Sequence, residues 1–277
     1  MVKFQPDTLL NSEQISRNQQ PIVHLQPMSN HLPHDHITPF KDPDKSKKQQ
    51  VTDMFDNIAC RYDRMNRFLS ARTDIGWRKK AIRLLKKENP ATILDIATGT
   101  ADMAILACKM LKPEKIIGID ISEGMLMLGK KKIEKEGLGH IIQLQTGDSE
   151  AINQPSDSFD AVMVAFGVRN FENLETGLTE MLRVLKPGGK LLILEFSKPR
   201  RIAVKTLHNL YMKIVAPQAA RWFKQNKKAY QYLNETANAF PDRHLFTDIL
   251  KKTGYTDTSF KQLSLGICCI YTGRKTN

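Results

Sequence analysis

Two aspartates, Asp95 and Asp120, stand at the ends of short apolar runs and have the spacing for ligand chemistry. Residues 92–94 lead to Asp95, residues 103–111 have helical spacing, and residues 115–119 form a second run. This order predicts a strand, a tight turn at Gly99, a helix and a parallel strand. Because parallel strands end at the same edge of a sheet, both carboxylates are expected to face one crevice. An acid there accepts hydrogen bonds from ribose hydroxyls, so the pattern favours a nucleoside ligand.

The turn between these elements lacks the features of a dinucleotide site. A pyrophosphate turn reads G-x-G-x-x-G, but only Gly99 is present, with Ala97 and Ala101 at the flanking alternate positions. The carboxylate of Asp95 suits a ligand with an ammonium group better than one with phosphates, because opposite charges attract. S-adenosylmethionine fits this description. The alternative is a strand-turn-helix unit without a ligand, since short motifs have many false positives.

Polar residues after the next two predicted strands would face the same crevice. Asp148 and Ser149 follow a strand at residues 141–145 and could bind an adenine amino group there. Arg169 and Asn170 follow a strand at residues 158–165, on a loop where catalytic groups are usually displayed; a surface turn is the alternative. The Asn-Pro-Pro-Tyr type of loop found in many N-methyltransferases is absent, which disfavours methylation of amino groups.

Composition limits the class of protein. With 277 residues and 41% hydrophobic content, the chain can bury one α/β core and carry an appendage. The net charge of +13 favours an anionic partner, which could be nucleic acid, an acidic substrate or a membrane surface. The four cysteines lack metal-ligand spacing, so we expect free thiols in a reducing, cytoplasmic compartment. No apolar run is long enough for a membrane span, and no signal-peptide core is present.

The chain divides into a polar tail and one domain. Residues 1–48 have no apolar period and are predicted to be a disordered tail, and residues 49–277 to be the domain. The tail histidines 31, 34 and 36 lack acidic or Cys partners at regular spacing, so no metal site is predicted. Residues 49–88 are predicted helices in which Tyr62 could close a lid over the ligand or cap a helix. Residues 198–240 form a basic amphipathic insertion that suits a membrane surface or apolar channel; a solvated helix face is the alternative.

Two segments carry a resemblance to a known family. Residues 62–70, Tyr-Asp-Arg-Met-Asn-Arg-Phe-Leu-Ser, are followed by Trp77, with Asp74 at a position that the family often fills with His. Residues 183–197, Arg-Val-Leu-Lys-Pro-Gly-Gly-Lys-Leu-Leu-Ile-Leu-Glu-Phe-Ser, form the second segment. From about residue 49 to residue 274, the chain resembles the class I S-adenosylmethionine-dependent methyltransferases of quinone biosynthesis, the menaquinone and ubiquinone C-methyltransferases.

The resemblance implies a fold and a set of cofactor contacts. The fold is α/β, a seven-stranded, mostly parallel, Rossmann-like sheet with helices on both faces and an antiparallel C-terminal hairpin. The cofactor is S-adenosylmethionine, with contacts at Thr100 in the first turn, Asp120 at the ribose, and Asp148 and Ser149 at the adenine. Ala165 occupies a further contact position that is often Ser.

The resemblance also implies an activity. A methyl group would be transferred to a ring carbon of demethylmenaquinol to give menaquinol. Our own hypothesis for the catalytic residues is that Arg169 stabilises or relays the phenolate charge, Asn170 orients the ring and Tyr62 closes over the cofactor. The partners would be a prenylated naphthoquinol and the inner face of a membrane, bound peripherally, and we allow for a homodimer. The alternatives are a methyltransferase of a sterol or polyketide phenol, and a basic nucleic-acid-binding protein that displays Trp222 and Phe223.

Overall fold

One mixed sheet organises the part of the chain that the computed structural model describes, which is residues 32–200, 202, 206 and 227–277. Its strands are β1 (Thr92–Ile96), β2 (Lys115–Asp120), β3 (Ile142–Thr146), β4 (Phe159–Ala165), β5 (Leu185–Phe196), β6 (Thr256–Leu263) and β7 (Cys268–Arg274). They pair in the order β3-β2-β1-β4-β5-β7-β6. The first five strands are parallel, and β7 runs antiparallel to both β5 and β6. The predicted seven-stranded sheet with a C-terminal hairpin is confirmed.

The helices lie at the ends and on both faces of this sheet. They are α1 (Lys47–Leu69), α2 (Thr73–Ile82), α3 (Asp102–Leu111), α4 (Glu123–Lys135), α5 (Leu174–Val184), α6 (Lys227–Ala239) and α7 (His244–Lys252), with 3-10 turns at Arg83–Leu85, Val168–Asn170 and Ser264–Gly266. Ser122 caps α4 by accepting a hydrogen bond from the Met125 amide. None of the described helices is long and apolar enough to cross a membrane.

The two faces of the sheet have separate apolar cores. Alternate residues of β1 point to opposite faces, so that Ile93 packs with α2 and α3, whereas Leu94 packs with α5 and α7. Burial on both faces explains why the central strands read as continuous apolar runs. A third cluster joins α1, α4 and α6 through residues such as Met54, Met125 and Tyr232, and it fixes α1 beside the carboxyl ends of the strands.

The predicted boundary of the tail at residue 48 is wrong, because residues 32–46 are ordered and residues 47 and 48 begin α1. His34 is fully buried with its ring 5.3 Å from that of Phe240, and its carbonyl accepts a hydrogen bond from Lys47 Nζ at 2.8 Å. The Gln50 amide group bonds the backbone of Phe40 and Asp42. Hydrogen bonds between side chains and irregular backbone hold this segment in place. Such bonds require no regular spacing of apolar residues, so the sequence pattern did not predict an ordered segment. Residues 1–31 lie outside the described residues, as does most of the predicted insertion at 198–240.

Close contact between β2 and the first turn makes Gly118 a sensitive position. We expect Gly118→Ala to lower the free energy of unfolding by about 1–3 kcal/mol. A Cβ there would lie 2.5 Å from Leu144 Cδ2 and 2.9 Å from Thr98 Oγ1. The control is Gly139→Ala, since a Cβ at Gly139 meets no described heavy atom within 4 Å. Urea unfolding measures both variants, and equal effects would contradict the close approach.

Candidate active site

A cleft opens at the carboxyl ends of β1, β2, β3 and β4, under α1, and the space within it, open solvent included, is about 660 Å³. Six of the residues predicted for the site line it, namely Tyr62, Gly99, Asp120, Asp148, Ser149 and Asn170. Ala165 lines it as well, whereas the side chains of Asp95, Thr100 and Arg169 lie behind its wall.

Asp120 and Gly99 form one end of the cleft. The Gly99 amide donates to Asp120 Oδ2 at 2.8 Å, and the Ser122 amide donates to Oδ1 at 2.9 Å. Burial raises the pKa of Asp120 to about 6, although the two amides oppose the rise. Gly99 has φ +56°, and a Cβ there would meet no described heavy atom within 4 Å, so the backbone is open to a ligand. Each carboxylate oxygen keeps a further acceptor position, which suits the two hydroxyls of a ribose.

Asp148 and Ser149 lie beside Asp120, after the neighbouring strand β3, where Lys48 joins them from α1. Lys48 Nζ contacts Asp148 Oδ2 at 2.6 Å and Glu150 Oε2 at 3.3 Å, and the Glu150 amide donates to Asp148 Oδ1 at 2.9 Å. Lys48 and Glu150 are cleft residues that the sequence did not reveal. Their pairing joins positions about 100 residues apart, and neither lies in a recognisable motif.

Asp95 lies behind the wall of the cleft and positions the first turn, and its predicted contact with the cofactor stays a prediction. Asp95 is on the same face of β1 as Ile93, so its side chain points towards the α2–α3 core and is 1% exposed. Its Oδ2 accepts from Thr98 Oγ1 at 2.6 Å, which holds the turn that lines the cleft. Burial raises the pKa of Asp95 to about 7. This orientation could have been predicted from the sequence, because residues two positions apart on a strand, such as Ile93 and Asp95, point to the same face.

Thr100 also acts behind the wall. Its hydroxyl donates to Asp63 Oδ1 at 2.6 Å and accepts from Lys132 Nζ at 2.8 Å. Asp63 belongs to α1 and Lys132 to α4, so Thr100 connects the first turn to the helix that covers the cleft. The cofactor contact that the resemblance implied for Thr100 stays a prediction, and its hydroxyl is already bonded to these two side chains.

A cluster of charged residues attaches α1 to the helices beside the cleft. Arg67 on α1 contacts both Asp74 on α2 and Asp102 on α3, and Arg78 also contacts Asp74. Lys132 on α4 contacts Asp102. Asp74, which replaces the family's frequent His, is 3% exposed and lies between two guanidinium groups. A carboxylate at this position is therefore fully compensated.

Arg169 is buried against Glu195. Its Nη1 donates to Glu195 Oε1 at 2.6 Å and to the Phe166 carbonyl at 2.8 Å, and the guanidinium lies 5.2 Å from the centre of the Phe196 ring. Burial raises the pKa of Glu195, and Arg169 opposes the rise. The sequence identified Glu195 only as part of a family segment, yet it is the group that fixes the orientation of Arg169.

Asn170 and Tyr62 face the cleft beside Arg169. Asn170 Nδ2 reaches the Phe166 carbonyl at 3.5 Å, and its Oδ1 has no hydrogen-bond partner among the described residues. Tyr62 packs edge-on to Phe55, with ring centres 5.8 Å apart. Burial raises the pKa of the Tyr62 hydroxyl, so at neutral pH this group is a donor and not a base. This end of the cleft therefore offers a free acceptor, a donor and a nearby cation.

Solved structures of known proteins share this fold. A S-adenosylmethionine-dependent methyltransferase from Thermotoga maritima superposes with a TM-score of 0.55 and 19% identity, covering 82% of this chain and 100% of that one. A putative S-adenosylmethionine-dependent methyltransferase from Methanococcus maripaludis gives a TM-score of 0.57 and 19% identity, covering 81% and 94%. The fold is that of the Rossmann-like S-adenosylmethionine-dependent methyltransferases.

Sequence relatives define the family. The model of the ubiE/COQ5 methyltransferase family matches residues 44–275. The demethylmenaquinone methyltransferase of Bacteroides fragilis is 45% identical over 88% of this chain and 99% of its own length. The ubiquinone/menaquinone biosynthesis C-methyltransferase UbiE of Geobacter sulfurreducens is 40% identical over 83% and 90%. The chain belongs to the ubiE/COQ5 methyltransferase family and is a C-methyltransferase that depends on S-adenosylmethionine.

The raised pKa of Asp120 predicts a pH-dependent cofactor affinity. If ribose hydroxyls bind the ionised Asp120 carboxylate as predicted, cofactor binding must displace the proton that Asp120 takes up below about pH 6. We expect the affinity for S-adenosylmethionine to fall by up to about tenfold per pH unit below that value. Isothermal titration calorimetry from pH 5 to pH 8 measures it. Asp120→Asn should bind weakly throughout and lack this step; if it keeps the step, another group titrates.

The buried ion pair predicts how Arg169 variants behave. Arg169→Ala should lower the free energy of unfolding by about 3–5 kcal/mol, because it leaves the Glu195 carboxylate buried without its cation. Adding Glu195→Gln should restore much of that stability. We expect turnover to stay lower by orders of magnitude in both variants, with cofactor affinity little changed. Full recovery of turnover in the double variant would show that Arg169 serves stability alone.

Proposed function

We propose that the enzyme transfers a methyl group from S-adenosylmethionine to a ring carbon of a demethylmenaquinol, giving menaquinol. The observation that carries this proposal is the 45% identity to the demethylmenaquinone methyltransferase of Bacteroides fragilis over 99% of that protein. The cleft supports it, since its wall combines polar ends with apolar and aromatic side chains such as Val51, Phe55 and Phe171. A fused aromatic ring is compatible with that wall.

The residues of the cleft fit the cofactor. Asp120 offers acceptors to the ribose, Asp148 and Ser149 offer polar groups to the adenine, and the open backbone at Gly99 leaves room for the nucleoside. When bound, S-adenosylmethionine supplies a methyl group on a positively charged sulfur. A nucleophilic ring carbon would take the methyl group, leaving S-adenosylhomocysteine, and would then lose its own hydrogen as a proton to restore the aromatic ring. The carboxylates of Asp120 and Asp148 give a ligand with net positive charge a favourable environment.

The residues at the Arg169 end favour ionisation of the substrate ring and orient it. The ring carbon becomes a strong nucleophile when the adjacent phenolic hydroxyl loses its proton, and such hydroxyls titrate near 10. The Arg169 guanidinium favours the ionised oxygen through its positive charge, which is little screened because the group is 4% exposed. Asn170 Oδ1 can accept a hydrogen bond from a ring hydroxyl, which would orient the ring, and Tyr62 covers the reacting groups from α1.

We further propose that the enzyme works at the inner face of a membrane. A prenyl tail keeps the substrate in the bilayer, and the net charge of +13 favours contact with anionic headgroups, at about 1 kcal/mol per basic residue near the surface. Most of the basic insertion that motivates this proposal lies outside the described residues. Contact with the membrane would be peripheral.

One experiment tests the substrate and the membrane together. Radiolabelled S-adenosylmethionine is incubated with demethylmenaquinone in phospholipid vesicles, either reduced with dithionite or oxidised. We expect label on the quinol alone, because the oxidised ring has no phenolic proton to lose, and faster transfer in anionic than in zwitterionic vesicles. Asp120→Ala is the control for cofactor binding.

The other outcomes separate the parts of the proposal. Label on a demethylated ubiquinone precursor but not on the naphthoquinol would move the activity to the ubiquinone branch. No label on any quinol, with cofactor binding intact, would refute the substrate assignment. Equal rates in both kinds of vesicle would refute the electrostatic membrane contact.

A further inference from the structure

Tyr232 on α6 has a buried hydroxyl that the fold does not use. The residue is 2% exposed, and its hydroxyl has no hydrogen-bond partner in the described parts of the chain. Burying a hydroxyl without a partner costs free energy, so Phe would fill this position with greater stability. A side chain that serves packing alone does not explain the hydroxyl.

The position of Tyr232 connects it to the reacting end of the cleft. Helix α6 packs against the 3-10 turn Val168–Asn170, which carries Arg169 and Asn170. Tyr232 also belongs to the same buried cluster as Val51 and Met125, both of which line the cleft, and Tyr62 packs against that cluster. The charge of Arg169 acts on the hydroxyls of both Tyr62 and Tyr232. Three elements, α1, the turn and α6, therefore converge around one guanidinium group.

Other polar atoms near this point also lack partners. Arg169 Nε, Asn170 Oδ1 and Glu195 Oε2 are buried without a hydrogen-bond partner among the described residues. A ligand with hydroxyl groups on a flat ring could satisfy several of them together. The donors and acceptors present differ in kind, since Asn170 Oδ1 only accepts, whereas a tyrosine hydroxyl both donates and accepts.

We propose that the Tyr232 hydroxyl binds the substrate by donating a hydrogen bond to the ring oxygen that ionises, with the ring placed between α1 and α6. This inference rests on the proposed function and adds a residue to it. Burial and the lack of an internal partner keep the hydroxyl protonated and free to donate. A donor to a phenolate favours the ionised ring, which is the reactive form.

The test is Tyr232→Phe, which removes one oxygen and keeps the ring that packs in the core. We expect kcat/KM for the quinol to fall about 10- to 100-fold, as for a lost hydrogen bond to a charged group, with an unchanged Kd for S-adenosylmethionine. The rise of kcat with pH should move to higher pH, because the phenolate loses a donor. Thermal unfolding should be unchanged or occur at higher temperature.

Tyr255→Phe is the matched control. Tyr255 is also 2% exposed, but its hydroxyl donates to the Leu178 carbonyl at 3.0 Å in the core on the α5 side of the sheet. This variant should unfold at a lower temperature and keep the turnover and pH profile of the parent enzyme. The two variants thus separate loss of a structural hydrogen bond from loss of a substrate contact.

The results that would overturn the inference are distinct from those that would overturn the function. If the parent enzyme methylates the quinol and Tyr232→Phe has the same kcat/KM and pH profile, Tyr232 does not bind the substrate. If Tyr232→Phe loses stability like the control with no loss of turnover, its hydroxyl has a partner within the protein. If the parent enzyme methylates no quinol, the proposed function fails, and the role of Tyr232 fails with it.

Discussion

The hydrogen bond from the Gly99 amide to the Asp120 carboxylate is the interaction on which the site depends. It joins the turn after β1 to the end of β2, and the parallel register that pairs Asp95 with Gly118 brings these two points together. The turn itself adopts positive φ at Ala97, Gly99 and Ala101, which only Gly does without strain. The Asp120 carboxylate helps to hold this turn and would also bind the cofactor. One hydrogen bond therefore determines both the shape of the turn and the position of the carboxylate that would bind the ligand.

The covering helix α1 is held by charge as well as by apolar packing. Burial opposes the ionisation of Asp102, but Lys132 and Arg67 outweigh it and lower its pKa, so this carboxylate stabilises the fold at neutral pH and loses that effect only in acid. Ionisation of Asp95 and Asp120 has the opposite effect on stability. Burial raises the pKa of Asp95 to about 7 and that of Asp120 to about 6. Each carboxylate therefore destabilises the fold as the pH rises through its raised pKa. Asp102, which helps to attach the covering helix α1, thus responds to pH in the opposite way to Asp95 and Asp120, which form the cleft and the turn beside it.

The sequence predicted the strands and the ends of the cleft because both follow from local pattern. Apolar runs bounded by Gly, Pro and Asp mark buried strands, and a residue after a parallel strand must lie at the carboxyl edge, which placed Asp120 and Asp148 correctly. Position at that edge does not determine the direction of a side chain. Thr100 turns towards Asp63 and Lys132, a choice that depends on charges far away in the sequence.

Other features have no local signal at all. The pairing of Lys48 with Asp148 and the burial of Arg169 on Glu195 each join distant segments, and only the assembled sheet brings them together. His34 and its neighbours are ordered by bonds between side chains and irregular backbone, which leave no periodicity. The position of Arg169 on a loop beside the cleft could therefore be predicted from the sequence. Its pairing with the Glu195 carboxylate, which immobilises it, could not.

The two ends of the cleft differ in how far the protein satisfies its own polar groups. At the Asp120 end, both carboxylate oxygens already accept backbone amides, so the site exists with fixed geometry before a ligand arrives. At the Arg169 end, polar atoms of Arg169, Asn170, Glu195 and Tyr232 are buried without partners among the described residues. Such groups cost stability, and the buried pair of Arg169 and Glu195 adds the cost of removing two charges from water. A fold selected for stability alone would replace them with apolar side chains. These unpartnered groups lie together at the Arg169 end of the cleft, away from the preorganised Asp120 end. This division suits an enzyme whose cofactor, bound at the Asp120 end, is always the same nucleoside. The second ligand, bound at the Arg169 end, would need polar groups there to stabilise its ionised hydroxyl.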